Sequence, residues 1–166
     1  SIGWCDGSSG AGGGGGVIYW TGLTIPTSAN EIDVIVGAGG DRPDTAGSGN
    51  NGEDSSFMDI VSKGGGGAGS RTIPNGLAGG SGGGGAHNNT TPAPSTQTNT
   101  GGATGFGNAG GIHVGGGGDE FPGEGGGGAG AVGGNGIEYS TASVCGNGGI
   151  GKEYPQFAIA GGSPAG

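Results

Sequence analysis

The chain has very little with which to build a conventional core. Its 166 residues include two Trp, four Phe, three Tyr and one Met, and hydrophobic residues of all kinds reach only 29%. Burial of apolar surface drives the folding of ordinary domains, so it cannot be the main source of order here. Charge is also scarce, at 10% of residues against roughly 25% in an average domain. Four Lys plus Arg stand against 13 Asp plus Glu, a net charge of −9. With no basic patch to replace phosphate counterions, nucleic-acid backbone binding is excluded. No apolar run approaches the roughly 20 residues of a membrane-spanning helix, and no membrane insertion is expected. His87 and His113 have no Cys pair or second His at zinc-ligand spacing, and both read as ordinary surface or groove residues. No Ser, His and acid arrangement carries a nucleophile elbow, and no enzyme activity is expected.

Glycine fills the space these residues leave, with 53 copies. Fixing that many glycines costs on the order of 80 kcal/mol in backbone entropy, and they have no side chains to bury in return. Gly, Ser, Thr, Asn and Pro in runs are the composition of flexible linkers. Collagen is excluded, because the runs are GGGG and GGGGG with no Gly-X-Y period and only eight Pro. The ordered alternative is a bundle of extended backbones. Without Cβ atoms neighbouring chains approach closely, and each peptide can bond a neighbour for about 0.5–1.5 kcal/mol net. That sum only roughly matches the entropy, so an apolar scaffold, a crosslink or packing between subunits is needed as well.

Short strand-like segments supply such a scaffold. "VIYW" (17–20) and "EIDVIV" (31–36) are β-branched and aromatic, and Ile32, Val34 and Val36 alternate with Glu31, Asp33 and Ile35 as in a half-buried strand. "SSFMDIVS" (55–62), "NGIEYSTASV" (135–144) and "YPQFAIA" (154–160) read as three more strands. No helical apolar repeat of useful length occurs. The fold class expected is mainly β and irregular, a small antiparallel β scaffold plus a bundle of packed polyglycine II helices, with no α-helix. Residues 1–62 read as the β-rich scaffold with the first glycine runs, and 63–166 as the polyglycine bundle with variable loops, together one compact unit. Gly65, Gly83, Gly116, Gly126, Gly127 and Gly128 are expected at close backbone contacts, with Val132 as a lateral anchor.

Glycine runs at 10–16, 37–40, 64–69, 79–86, 101–111, 115–118, 123–136 and 146–151 alternate with inserts. In a three-residue-per-turn helix at about 3.1 Å per residue, runs of four to eight span roughly 12–25 Å. The inserts "DRPDTAGSGNNGEDSS", "SRTIPNGL", "HNNTTPAPSTQTNT" and "DEFPGE" would project from the rod ends.

The stretches "LTIPTSANEIDVIVGAGG" and "NGEDSSFMDIVSKGGGGAG" resemble the glycine-rich domains of bacteriophage tail-fibre and other virion proteins, in which a turn leads into an alternating strand and then a glycine run. The resemblance spans about residues 17–166. It implies a sandwich of polyglycine II helices whose connecting loops contact a bacterial surface receptor, protein or glycan, at a virion or extracellular surface. The loop residues expected to meet a receptor are Arg71, Asn75, His87, Asn88, Asn89, Thr90, Thr91 and Phe121. Tyr139, Tyr154 and Phe157 are candidates for the same role or for the core.

Other patterns have a functional and a plain reading. Asn88 and Asn89 each open an N-x-T glycosylation acceptor, in an insert that equally makes a polar extended loop. "GNNGEDSSF" (49–57) approaches a calcium-binding nonapeptide with Gly52 and Asp54 in place. It occurs once, so Asp54 as a calcium ligand competes with a polar turn before a strand, and no other cofactor is expected. Asp41, Asp44, Glu53, Asp54, Asp119, Glu120 and Glu124 could supply hard oxygen ligands, and the commoner reading of such residues is exposed acidic loops. Cys5 and Cys145 leave three arrangements open: a disulfide closing a long loop, burial as small hydrophobes, or a crosslink between subunits. Ser1 reads as a processed or internal start, and "AGGSPAG" at the other end as an interrupted run. The function expected is a non-enzymatic structural and recognition component of a fibre. The alternative is a self-assembling subunit of an extracellular filament, with self or fibre-protein partners. Ice binding by a flat glycine face is a third reading.

Overall fold

A computed structural model describes residues 9–28, 31–42, 47–87, 90–116, 121–139 and 142–155. Its interior is made of glycine backbone. Rod 10–16 shows how: the N–H groups of Gly10, Gly13 and Gly16 donate to the carbonyls of Gly69, Gly66 and Lys63, while those of Ala11 and Gly14 donate to Glu124 and Gly127. Partners change direction every residue and recur every third. That is the screw of a three-residue-per-turn helix, and it differs from the two-residue alternation of a strand.

Rod 79–86 lies at the centre. It exchanges backbone hydrogen bonds with rods 10–16, 64–69, 74–77, 93–96, 107–111 and 122–129, and all of its residues are buried. Rod 122–129 is buried over its whole length as well, bonded to rods 10–16, 79–86, 107–111, 133–136 and 145–151. The result is a roughly hexagonal net. Among the described residues the only buried hydrophobic side chains are Ala86, Ala93, Ala103 and Ala129, so no aliphatic cluster competes with this arrangement. Where rods touch, the position a Cβ would take holds a Cα–H aimed at a neighbouring carbonyl, a weak hydrogen bond that adds to the N–H ladder.

Small sheets close the two ends of the net. At one end β1 (Val17–Tyr19) pairs antiparallel with β5 (Thr104–Phe106), and β2 (Val34–Ile35), β3 (Ser55–Phe57) and β4 (Ile60–Ser62) form a three-stranded antiparallel sheet. Tyr19 stacks on Tyr154 there, with ring centroids 4.6 Å apart, and Phe106 meets Tyr154 edge-on at 6.3 Å. At the other end β6 (His113–Val114) runs parallel to β7 (Gly136–Tyr139), which pairs antiparallel with β8 (Ala142–Val144). No α-helix occurs among the described residues, and the fold is β and irregular as expected.

Several segments differ from the sequence reading. "SSFMDIVS" is a hairpin and not one strand, because Met58 takes a left-handed φ of 53° between β3 and β4. "NGIEYSTASV" likewise divides into β7 and β8. The alternation of "EIDVIV" predicts a buried face, yet β2 is the outer strand of its sheet, and Val34, Ile35 and Val36 are 62%, 59% and 84% exposed. β5 and β6 lie in segments whose glycine content hid them. Val132 is exposed and anchors nothing. Of "YPQFAIA", residues 156–160 lie outside the described residues, Phe157 among them.

Candidate recognition surface

Insert 70–76, residues His87, Thr90 and Thr91, and the start of rod 122–129 meet at one end of the bundle. Insert 70–76 is turned by its own bonds, with Ser70 N–H donating to the Ile73 carbonyl at 2.8 Å and Ile73 N–H donating to Ser70 Oγ at 3.2 Å. Its return passes Pro74, whose carbonyl accepts from Ala86 N–H at 2.7 Å. Asn75 Oδ1 accepts from Thr91 N–H at 2.8 Å and ties the two inserts together.

His87 ends the central rod with a φ of 71°, a left-handed conformation that few non-glycine residues adopt. It places the imidazole flat on Phe121, with centroids 3.9 Å apart and planes at 17°. The Arg71 guanidinium carbon lies 5.7 Å above the Phe121 ring, within cation–π range. Arg71, Asn75 and Thr91 are exposed, and His87 and Phe121 half-buried. Five of the eight expected contact residues therefore share one surface. It offers guanidinium donors, an aromatic face and amide groups together. Thr90 is buried instead, its Oγ1 accepting from His113 N–H at 2.6 Å. Asn88 and Asn89, the expected glycosylation acceptors, lie outside the described residues.

Inward from Thr90 is a cluster that the sequence reading missed. His113 sits end-on between two glutamates, Nδ1 3.8 Å from Glu124 Oε1 and Nε2 3.3 Å from Glu138 Oε2. Their side chains are 3%, 0% and 2% exposed, so His113 is no surface residue and Glu124 no loop acid. None of their side-chain nitrogen or oxygen atoms has a well-aligned hydrogen bond. Burial pushes the Glu124 carboxyl up from 4.5 to about 7, against a smaller opposing pull from its own N–H and the Thr90 hydroxyl. A neutral imidazole has one donor and one acceptor. Glu124 as the neutral acid adds one O–H donor beside it.

The remaining expected site residues separate. Asp54 bonds Lys63 Nζ at 2.7 Å and accepts Gly64 N–H at 3.0 Å, and these partners, the Lys63 bond first, hold its carboxyl below the ordinary 3.8. Its oxygens serve the turn into rod 64–69, and no group of three or more His, Cys, Asp and Glu suited to a metal occurs among the described residues. Gly65, Gly83, Gly126, Gly127 and Gly128 all stand where a Cβ would come within 3.0 Å of backbone, whereas Gly116 is exposed with open space around it. Tyr139 is 55% exposed. Cys145 is half-buried, and Cys5 lies outside the described residues.

The model of a glycine-rich domain family matches residues 3–166. The chain belongs to this family. Neither curated proteins nor solved structures yield a match.

Proposed function

We propose that the chain is a non-enzymatic recognition component of an extracellular or virion fibre, a glycine rod bundle holding a loop surface against a bacterial receptor, protein or glycan. The observation that carries this reading is the meeting of Arg71, Asn75, His87, Thr91 and Phe121 on one rod end. The strained φ of His87 supports it, since backbone strain concentrates at functional sites. Aromatic and arginine side chains dominate binding energetics. The burial of His113, Glu124 and Glu138 supports a structural role for that cluster, because no substrate could touch it.

Arg71→Ala and Phe121→Ala are each expected to weaken binding of the labelled chain to receptor-bearing bacterial cells at least about tenfold, the size of a hot-spot loss. The unfolding midpoint should change little for Arg71→Ala. A parent chain that binds no cells across a broad bacterial panel, or variants that bind like the parent, would contradict the reading.

A further inference from the structure

Rods 10–16 and 64–69 bond to each other, and both bond to rod 79–86. The three fill one triangle of the net. The mirror position across the first two rods is a groove of about 500 Å³, lined by residues of 12–16, 37–42, 49–55 and 62–68 and by none of rod 79–86. It is a lattice position of the net that no rod of the described residues fills.

Hydrogen bonding and sterics agree on what fits there. The N–H groups of Gly12 and Gly15 are the third direction of rod 10–16, and they meet no acceptor among the described residues. Both residues are exposed. At Gly13, where rods touch, a Cβ would come within 3.0 Å of backbone. At Gly12 and Gly15 the nearest atom is a carbonyl oxygen at 3.7 Å, and at Gly39 nothing lies within 4 Å. Side chains would fit at these positions, so the packing of this chain does not require glycine there. An incoming backbone that accepts from the two free N–H groups does require it.

A matching ridge lies on another flank. In rod 145–151 the N–H groups of Gly146 and Gly149 donate inward to Gly123 and Gly126. Gly148 and Gly151, three residues apart, form a side of the rod with no side chain. A Cβ would meet nothing nearer than 4.0 Å at Gly148 and nothing within 4 Å at Gly151, and both are exposed.

We propose that the groove beside rod 10–16 receives the edge rod 146–151 of a second copy of this chain, whose carbonyls accept from Gly12 and Gly15. The occupant completes the hexagonal net with the same three-residue repeat the net already uses. Groove and ridge are different surfaces, so the contact is head-to-tail and each added copy offers a new groove. The interface lies along the rods and leaves the Arg71, His87 and Phe121 surface at the rod end open.

The test is sedimentation velocity of the full chain from micromolar to millimolar concentration, with amide hydrogen exchange at both extremes. The parent should grow past the dimer, with Gly12 and Gly15 exchanging at least about tenfold more slowly in the assembled sample. The double variant Gly12→Val, Gly15→Val and the single variant Gly148→Val should stay monomeric with the parent's circular dichroism. A parent that stays monomeric at millimolar concentration, or valine variants that assemble like it, overturns the proposal. So does protection of Gly12 and Gly15 in the monomer that vanishes when residues 156–166 are deleted, because the groove then holds the chain's own C-terminal segment.

Discussion

Gly83→Val is expected to abolish folding. The added Cβ would come within 3.0 Å of the Gly67 carbonyl and against that of Gly66, all backbone atoms. Neither side can yield cheaply. Gly83 N–H is committed to the Leu77 carbonyl at 3.0 Å, and Leu77 N–H to the Gly67 carbonyl at 2.8 Å, so separating the rods breaks both bonds as well as the net around them. Overpacking an ordinary core costs about 1–3 kcal/mol because side chains shift. Here only backbone is available to move, and the loss should exceed about 4 kcal/mol, a large part of the roughly 5–15 kcal/mol that holds a domain together. Gly15→Ala is the comparison. Its Cβ has room, and removing a glycine from the unfolded ensemble should leave dilute chain unchanged or more stable by up to about 1 kcal/mol. Urea unfolding of the two variants checks both, and equal midpoints would show that close backbone packing is not what stabilises the bundle.

Stability should fall as pH rises from about 4.5 to about 7. Glu124 titrates near 7 in the folded chain against 4.5 when exposed, so across that interval the folded state binds the extra proton and a rise in pH opposes folding. The contribution is fully present below 4.5 and lost above 7. A shift of this size corresponds to about 3 kcal/mol. Glu124→Gln keeps the shape of the neutral acid without its titration. Its stability should stay flat across the same interval and exceed the parent's at pH 8 by a comparable amount. The comparison with the parent isolates Glu124 from Asp54, whose lowered value acts in the opposite direction, gives stability above 3.8 and loses it in more acid solution. Asp54 is exposed, and its contribution is small. A parent whose stability is level or rises between pH 5 and 8, with Glu124→Gln indistinguishable from it, would contradict the assignment.

Much of the fold was legible because glycine runs state their own packing mode. A run without Cβ atoms can bury itself only against other backbones, and the apolar segments at 17–20 and 55–62 do form sheets at the rod ends. Which glycines are sterically obligatory was not legible. Gly83 and Gly116 have similar local sequences, but the first is enclosed on all sides and the second is open, a difference set by the positions of other rods. The alternation in "EIDVIV" misled because period-two patterning marks a buried face only when something covers that face, and β2 lies at an edge.

The recognition surface was visible as inserts rich in side chains, though not the stacking of His87 on Phe121, which depends on two distant segments ending at one rod tip. The buried cluster left a fainter signal. Glu124 opens the run "GGGGAGAVGG", and His113 stands between Ile112 and Val114. A charged residue bordering a run that must close-pack, and an imidazole flanked by aliphatic residues, are both candidates for burial and so for each other.

Residue-resolved amide hydrogen exchange on dilute, monomeric chain tests most directly whether the glycine rods are the core. Gly80 to Gly84 together with Glu124, Gly125, Gly127 and Gly128, donors inside the two buried rods, should exchange only through global unfolding. Gly39 at the open groove should exchange at once. Slow exchange confined to β1 through β8, with the central glycine amides exchanging freely, would place the stability in the small sheets and contradict a core made of backbone.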